Sequence, residues 1–306
     1  MQRRRAARVI GVGSSPPTAP APRLDSARAA RYASAMPMPR DRHAVLNGLR
    51  FHWLDWGTIG LPPLVLLHGA AQTAHSFDEV APALSRRAHV LALDQRGHGD
   101  TAWAPRYDRD DFVADVSALL AHHGITRTAL IAMSLGGLNA IRYTARNPER
   151  VRALVVVDVV PRVVAAGAEA IGKQLATREF ASFDEAVASA HAFNPRRTLE
   201  NIRERLGYSM RELPDGRWTY KFDPGITSGA RELERLWHDV RRLRVPVLLV
   251  RGAESPILDR EGVAQFLASV PGSRVAEVAG AGHSVMGDNP TGFLAAVEPF
   301  LARHAA

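Results

Sequence analysis

Residues 129–137 read ALIAMSLGG. An apolar run ends in a serine, small residues stand on both sides of it, and two glycines follow. A run of this kind bounded by a turn suits a strand buried on both faces. The next stretch, GLNAIRYTARNP (137–148), suits a helix closed at Asn147-Pro148. A strand that passes so tightly into a helix forces the residue at the tip into a strained conformation. It tolerates only small neighbours two positions to either side, here Ala132 and Gly136. The usual pattern for such an elbow is G-x-S-x-G. This chain has A-M-S-L-G, in which alanine keeps the small-residue requirement. From these five residues two readings stand: a hydroxyl held in the open at the tip of an elbow, or a serine that caps an ordinary helix.

Outward from this stretch the chain alternates strand-like and helical segments. AVLNGLRFHWLDWG (44–57) carries an Asn47-Gly48 turn between two short strands. PLVLLHG (63–69), AHVLALDQRGHGD (88–100), VRALVVVD (151–158), VPVLLVRG (245–252) and SRVAEVAG (273–280) read as further strands. Phe112, Val113, Val116, Leu119 and Leu120 share one face of a helix stopped by Gly124, and TGFLAAVEPFLARH (291–304) closes the chain as another. This alternation predicts an α/β fold, a mostly parallel sheet covered by helices on both faces. It breaks off after Asp158 and resumes at Val245. Residues 161–240 read as mainly helical, with a capping box at Ser182–Glu185 and a Pro214-Asp215-Gly216 turn leading into RWTYKFDP. So long an insertion is no loop. It predicts a cap domain over the carboxyl edge of a core formed by residues 43–160 and 241–306.

The chain has 306 residues, a net charge of +8 and no cysteine. The last fact excludes a thiol nucleophile, a disulfide scaffold and cysteine-ligated metals. Residues 1–42 hold nine arginines against Asp25 and Asp41, which is seven of the eight net charges. The globular part is therefore close to neutral and its charge gives no argument for a nucleic-acid partner. Residues 1–42 are rich in Arg, Ala, Pro and Ser and lack the apolar run of a signal peptide. They read as a disordered extension, or as residues preceding a true start at Met36 or Met38. No apolar stretch is long enough to span a bilayer, so a cytoplasmic protein with no membrane partner is expected.

In such a sheet, ligands bind outside the carboxyl ends of the strands. The unusual residues all fall there: His68 to Ala71, Asp94 to Gly99, Ser134, Asp158, Glu254-Ser255 and His283. Four segments, in order, make the chain from about His43 onward resemble the α/β-hydrolase superfamily, cap included. LLHGAA looks like its oxyanion loop, LDQRGHGDT its strand-four loop with Thr101 for a usual serine, AMSLGG its nucleophile elbow and GAGHSVMGDNP its histidine loop. The resemblance implies Ser134 as nucleophile, His283 as general base, and backbone N–H groups of Ala70 and Leu135 as the oxyanion hole. The family's acid usually follows strand seven as G-x-x-D. Here Ser255 stands in that place and Glu254 one residue early. A minority branch, which includes the haloalkane dehalogenases, carries the acid after strand six, where this chain has Asp158. Asp158 is favoured, with Glu254 as the alternative. His68 and His98 read as structural residues bonded to turn backbone, and His122-His123 as the end of a helix. No histidines stand at metal-ligand spacing, so neither metal nor cofactor is expected.

A serine at the elbow argues acyl transfer. The leading expectation is a serine hydrolase cleaving a carboxylic ester, lactone or thioester of a small, mostly apolar molecule through an acyl-enzyme. Alternatives are a C–C bond hydrolase of the meta-cleavage type, a cofactor-free haloperoxidase-like enzyme, or, from another class, a non-catalytic ligand receptor. Met133 beside the nucleophile suggests an apolar acyl pocket. The aromatic residues of the insertion, such as Phe180, Phe193 and Tyr220, read more as packing than as substrate contacts.

Overall fold

The computed structural model describes residues 38–227 and 233–305. Strands β1 (Arg40–Leu46), β2 (Leu49–Trp56), β3 (Pro63–Leu67), β4 (His89–Leu93), β5 (Thr128–Met133), β6 (Val151–Val157), β10 (Val247–Gly252) and β11 (Arg274–Val278) form one eight-stranded sheet. Its order is β1-β2-β4-β3-β5-β6-β10-β11. Only the β1–β2 and β2–β4 pairs are antiparallel. From β4 to β11 every neighbour is parallel. Side chains alternate across the sheet as the strand period requires. Val65, Leu67, Leu130, Ala132, Leu154 and Val156 join one core with helices Arg109–His122 and Leu135–Arg146. Leu64, Leu66, Ile131, Met133, Val155 and Val157 join the other with helix Pro290–His304.

Two boundaries differ from those read in the sequence. β1 begins at Arg40, and Arg40 to Arg42 pair with Asp55 to Trp53 of β2. These residues are sheet, not extension, because backbone pairing with β2 does not depend on their polar side chains. The rest of the expected extension, residues 1–37, lies outside the described residues. At the other boundary, helix Leu233–Arg241 buries Leu236, Trp237 and Val240 in the same core as Ile141. It therefore packs with the core, although its residues were expected in the cap.

The insertion between β6 and β10 has helices Ala165–Ala176, Phe183–Phe193 and Leu199–Ser209. It also holds a small antiparallel sheet of β7 (Glu179–Phe180), β8 (Met210–Glu212) and β9 (Trp218–Tyr220), in the order β7-β9-β8. The Pro214-Asp215-Gly216 turn closes the β8–β9 hairpin, with Gly216 at φ 85° and its N–H on the Leu213 carbonyl. Phe180, Ile202, Leu206, Met210, Tyr220 and Phe222 make a separate core here. Most aromatic residues of the insertion thus pack against one another. At the start of helix Phe183–Phe193, Ser182 Oγ accepts from Glu185 N–H while Glu185 accepts from Ala181 N–H.

A buried ion pair braces the loops on the carboxyl side of β3 and β4. His52 donates from Nδ1 to Asp94 Oδ2 at 2.7 Å and from Nε2 to Asp41 Oδ1 at 3.1 Å. Asp94 also accepts the N–H groups of Ala74 and Asp100, and its carbonyl accepts from Thr101 Oγ1. Burial opposes the charge on both partners, but each outweighs it for the other. His52 is raised to about 10, and the Asp94 carboxyl is held well below the usual range by His52 and the Ala74 N–H. A raised imidazole stabilises fully below its unfolded value near 6.5 and loses that contribution as pH climbs toward 10. A depressed carboxyl contributes above its unfolded value and loses that contribution in acid. The urea midpoint is therefore expected to fall between pH 6.5 and 9.5, and to fall less in His52→Gln. Equal slopes in the two proteins would show that the pair contributes nothing.

Candidate active site

Ser134 occupies the turn between β5 and helix Leu135–Arg146, with φ 51° and ψ −117°. That left-handed backbone is costly for a residue with a Cβ, and the surroundings hold it there. Ser134 N–H donates to the Val157 carbonyl of β6, and Gly136 N–H donates to the His68 carbonyl beyond β3. A Cβ on Gly136 would lie 2.5 Å from the Leu67 carbonyl, and one on Gly137 would lie 2.6 Å from Val159 Cγ1. The two glycines of the opening stretch are thus required by close approach. The serine does not act as a side-chain cap of the helix it precedes.

Across the carboxyl ends of the strands, Ser134 Oγ lies 3.1 Å from His283 Nε2, and His283 Nδ1 lies 2.8 Å from Asp158 Oδ2. With the proton on Nδ1, the imidazole donates to the carboxylate and accepts from the hydroxyl. The Asp158 carboxylate is fully buried. It takes Gly252 N–H on Oδ1 at 3.0 Å and the Ser255 hydroxyl on Oδ2. Asp158 also has a left-handed backbone, φ 53°, and its N–H donates to the Val250 carbonyl. Glu254 lies elsewhere. Its side chain is 52% exposed and accepts from Arg196 Nε at 2.9 Å. Ser134, His283 and Asp158 come together, and Glu254 does not join them.

His68 donates from Nδ1 to the Gly69 carbonyl and accepts Gln95 N–H on Nε2. His98 is likewise held on the Arg96 carbonyl. Burial holds both imidazoles neutral, and for His98 it lowers the value to about 3. They tie the β3 and β4 loops together and so position Gly69 to Ala71 beside the elbow. Ala70 lines the same cavity as Ser134. Leu135 opens the following helix, where N–H groups have no acceptor within the helix.

Some residues of the site escape the sequence reading. Ser255, which fills the usual place of the acid, donates to Asp158 instead and also accepts the N–H groups of Ile257 and Leu258. Asp288 holds Gly282 N–H, next to His283, at 3.0 Å. Its only sequence signal is its place five residues after that histidine.

A cavity of about 320 Å³ opens on Ser134 and His283 beneath the insertion. Met133, Ile171, Leu175, Phe193 and Leu206 give it apolar walls, as expected beside Met133. Arg196, Arg197 and Arg205 also line it, so the wall is less uniformly apolar than the sequence suggests. Among the described residues there is no cluster of three or more potential metal ligands and no helix long and apolar enough to cross a membrane.

Residues 62–290 match the model of the alpha/beta hydrolase fold family. The chain is 33% identical over 258 residues to the esterase Rv0045c of Mycobacterium tuberculosis, covering 81% of this chain and 85% of that protein. It is 30% identical to the 3-hydroxybutyrate-oligomer hydrolase of Cupriavidus necator, covering 79% and 88%. The crystal structure of an alpha/beta hydrolase from Novosphingobium aromaticivorans superimposes with a TM-score of 0.75 at 28% identity, covering 88% of this chain and all of that one.

Proposed function

We propose that this chain, which belongs to the α/β-hydrolase family, hydrolyses carboxylic esters through Ser134 and an acyl-enzyme intermediate. The observation that carries this reading is the hydrogen-bonded line from Ser134 Oγ through His283 to Asp158 at the floor of a cavity. His283 Nε2 takes the Ser134 proton as Oγ attacks the ester carbonyl. Asp158 accepts a hydrogen bond from His283 Nδ1–H and stabilises the imidazolium that forms. Its other donors, Gly252 N–H and the Ser255 hydroxyl, keep the carboxylate aimed at the imidazole. The negative charge that develops on the carbonyl oxygen is taken by the N–H groups of Ala70 and Leu135, each worth on the order of 10²–10³ in rate. The imidazolium then protonates the leaving alcohol, and a water activated by His283 releases the acid.

A cavity of this size suits a small-molecule ester. A fluorophosphonate probe is expected to label the wild-type protein on Ser134 and to leave Ser134→Ala unlabelled, read by mass spectrometry of the modified peptide. A folded wild-type protein that takes no label would overturn the acyl-enzyme reading and favour a ligand receptor on this fold.

A further inference from the structure

Three arginines of the insertion, Arg196, Arg197 and Arg205, line the same cavity as Ser134 and His283, and the lining carboxylate is Asp288. Their charges are unequally matched. Arg196 faces Glu254 outside the cavity. Arg197 is 5% exposed, donates from Nε to the Gly287 carbonyl at 3.0 Å, and lies 3.9 Å from Asp288 Oδ1. Both of its Nη atoms are buried without an acceptor among the described residues. The Asp288 carboxylate is already occupied, with Oδ1 on Asn194 Nδ2 and Oδ2 on Gly282 N–H. Arg205 Nη2 donates to Ser76 Oγ at 3.1 Å, so among the described residues its partner is a hydroxyl and not a carboxylate.

Between Arg197 and Arg205 the lining thus carries two guanidinium groups for one carboxylate, Asp288, while Glu79, outside the lining, also acts on Arg197 and leaves Arg205 as the guanidinium with no carboxylate partner among the described residues. A cation at the edge of a low-dielectric cavity is unfavourable until an anion meets it, and a guanidinium fork matches the two oxygens of a carboxylate. Esters of wholly neutral acids and alcohols leave that positive charge unanswered. We propose that the cavity takes an ester that carries a free carboxylate away from the scissile bond. Arg205 contacts that carboxylate, and Arg197, buried in the same wall, adds positive potential. The inference rests on the hydrolase reading for the reacting end of the molecule, but the anion site itself does not need turnover. The carboxylate belongs either to the acyl part, as in a half-ester of a dicarboxylic acid, or to the alcohol part, as in an ester of a hydroxy acid.

Matched pairs of substrates separate the two sources. The 4-nitrophenyl half-ester of adipic acid is compared with its methyl-capped diester, and 4-butanoyloxybenzoate with its methyl ester. In one pair the wild-type kcat/KM is expected to favour the carboxylate at least tenfold, and in Arg205→Gln that ratio is expected to fall about tenfold or more. Arg205→Lys is expected to restore part of it. The pair that shows the preference identifies the side that carries the anion. Neutral wild-type preference in both pairs, or a ratio unchanged by Arg205→Gln, overturns the proposal. Binding is measured independently by calorimetry on Ser134→Ala with monomethyl adipate, dimethyl adipate and butanoyloxybenzoate. Should no ester be hydrolysed while a carboxylate ligand binds and is lost in Arg205→Gln, the hydrolase mechanism fails and the anion site stands. Should neither carboxylate ligand bind, the anion site fails.

Discussion

Ser134→Ala is expected to lower kcat for an activated ester by about 10⁴ to 10⁶ and to leave KM within a few-fold. The size follows from the proposed role of the hydroxyl as the bond-forming atom. Removing it leaves His283 without a proton to take, and what survives is binding together with backbone donors that polarise the carbonyl. The fold should tolerate the change. The Ser134 backbone sits at φ 51° because Val157 and His68 grip the turn on either side through Ser134 N–H and Gly136 N–H. Alanine keeps the Cβ and therefore the strain, so the urea midpoint should move little. Steady-state kinetics and urea unfolding on the same preparation separate lost chemistry from lost structure. A kcat within tenfold of wild type would remove Ser134 from the reaction.

The elbow is legible in the sequence because its constraint is steric and local. Gly136 and Gly137 are needed where the Leu67 carbonyl and Val159 leave no room for a Cβ, and that need appears as small residues at fixed offsets from Ser134. The parallel sheet is legible for a related reason, since strands buried on both faces read as unbroken apolar runs. The insertion is harder to read. Strands of two or three residues, such as β7 and β9, have no period to detect. The apolar stripe of helix Leu233–Arg241 looks the same whether it faces the cap or the core. The arginines of the cavity wall are hidden in another way. In Asn194-Pro195-Arg196-Arg197 nothing in the sequence tells the two adjacent guanidinium groups apart, yet the fold exposes one and buries the other. Charge in a sequence has a position but no direction until the helices on either side are packed.

The same lack of direction leaves two candidates for the acid, and a pair of variants decides between them. Asp158→Asn is expected to lower kcat/KM about 10³- to 10⁴-fold at neutral pH, while Glu254→Gln stays within two- to threefold. An amide at position 158 would keep its oxygen on Gly252 N–H, which now bonds Oδ1 at 3.0 Å. Its NH₂ would then face His283 Nδ1 and the Ser255 hydroxyl. A donor facing Nδ1 moves the imidazole proton to Nε2, where it points at Ser134 and cannot accept the proton of the hydroxyl. The shape of the site is nearly preserved and its proton inventory is reversed, so KM should change far less than kcat. Glu254 has no such lever. It lies outside the cavity on Arg196, its side chain is half exposed, and an exposed ion pair contributes about 0–1 kcal/mol. The opposite result, with Asp158→Asn near wild type and Glu254→Gln inactive, would require the His283 loop to turn away from β6 toward Arg196 during turnover. It would overturn the assignment of the acid while leaving Ser134 and His283 in place.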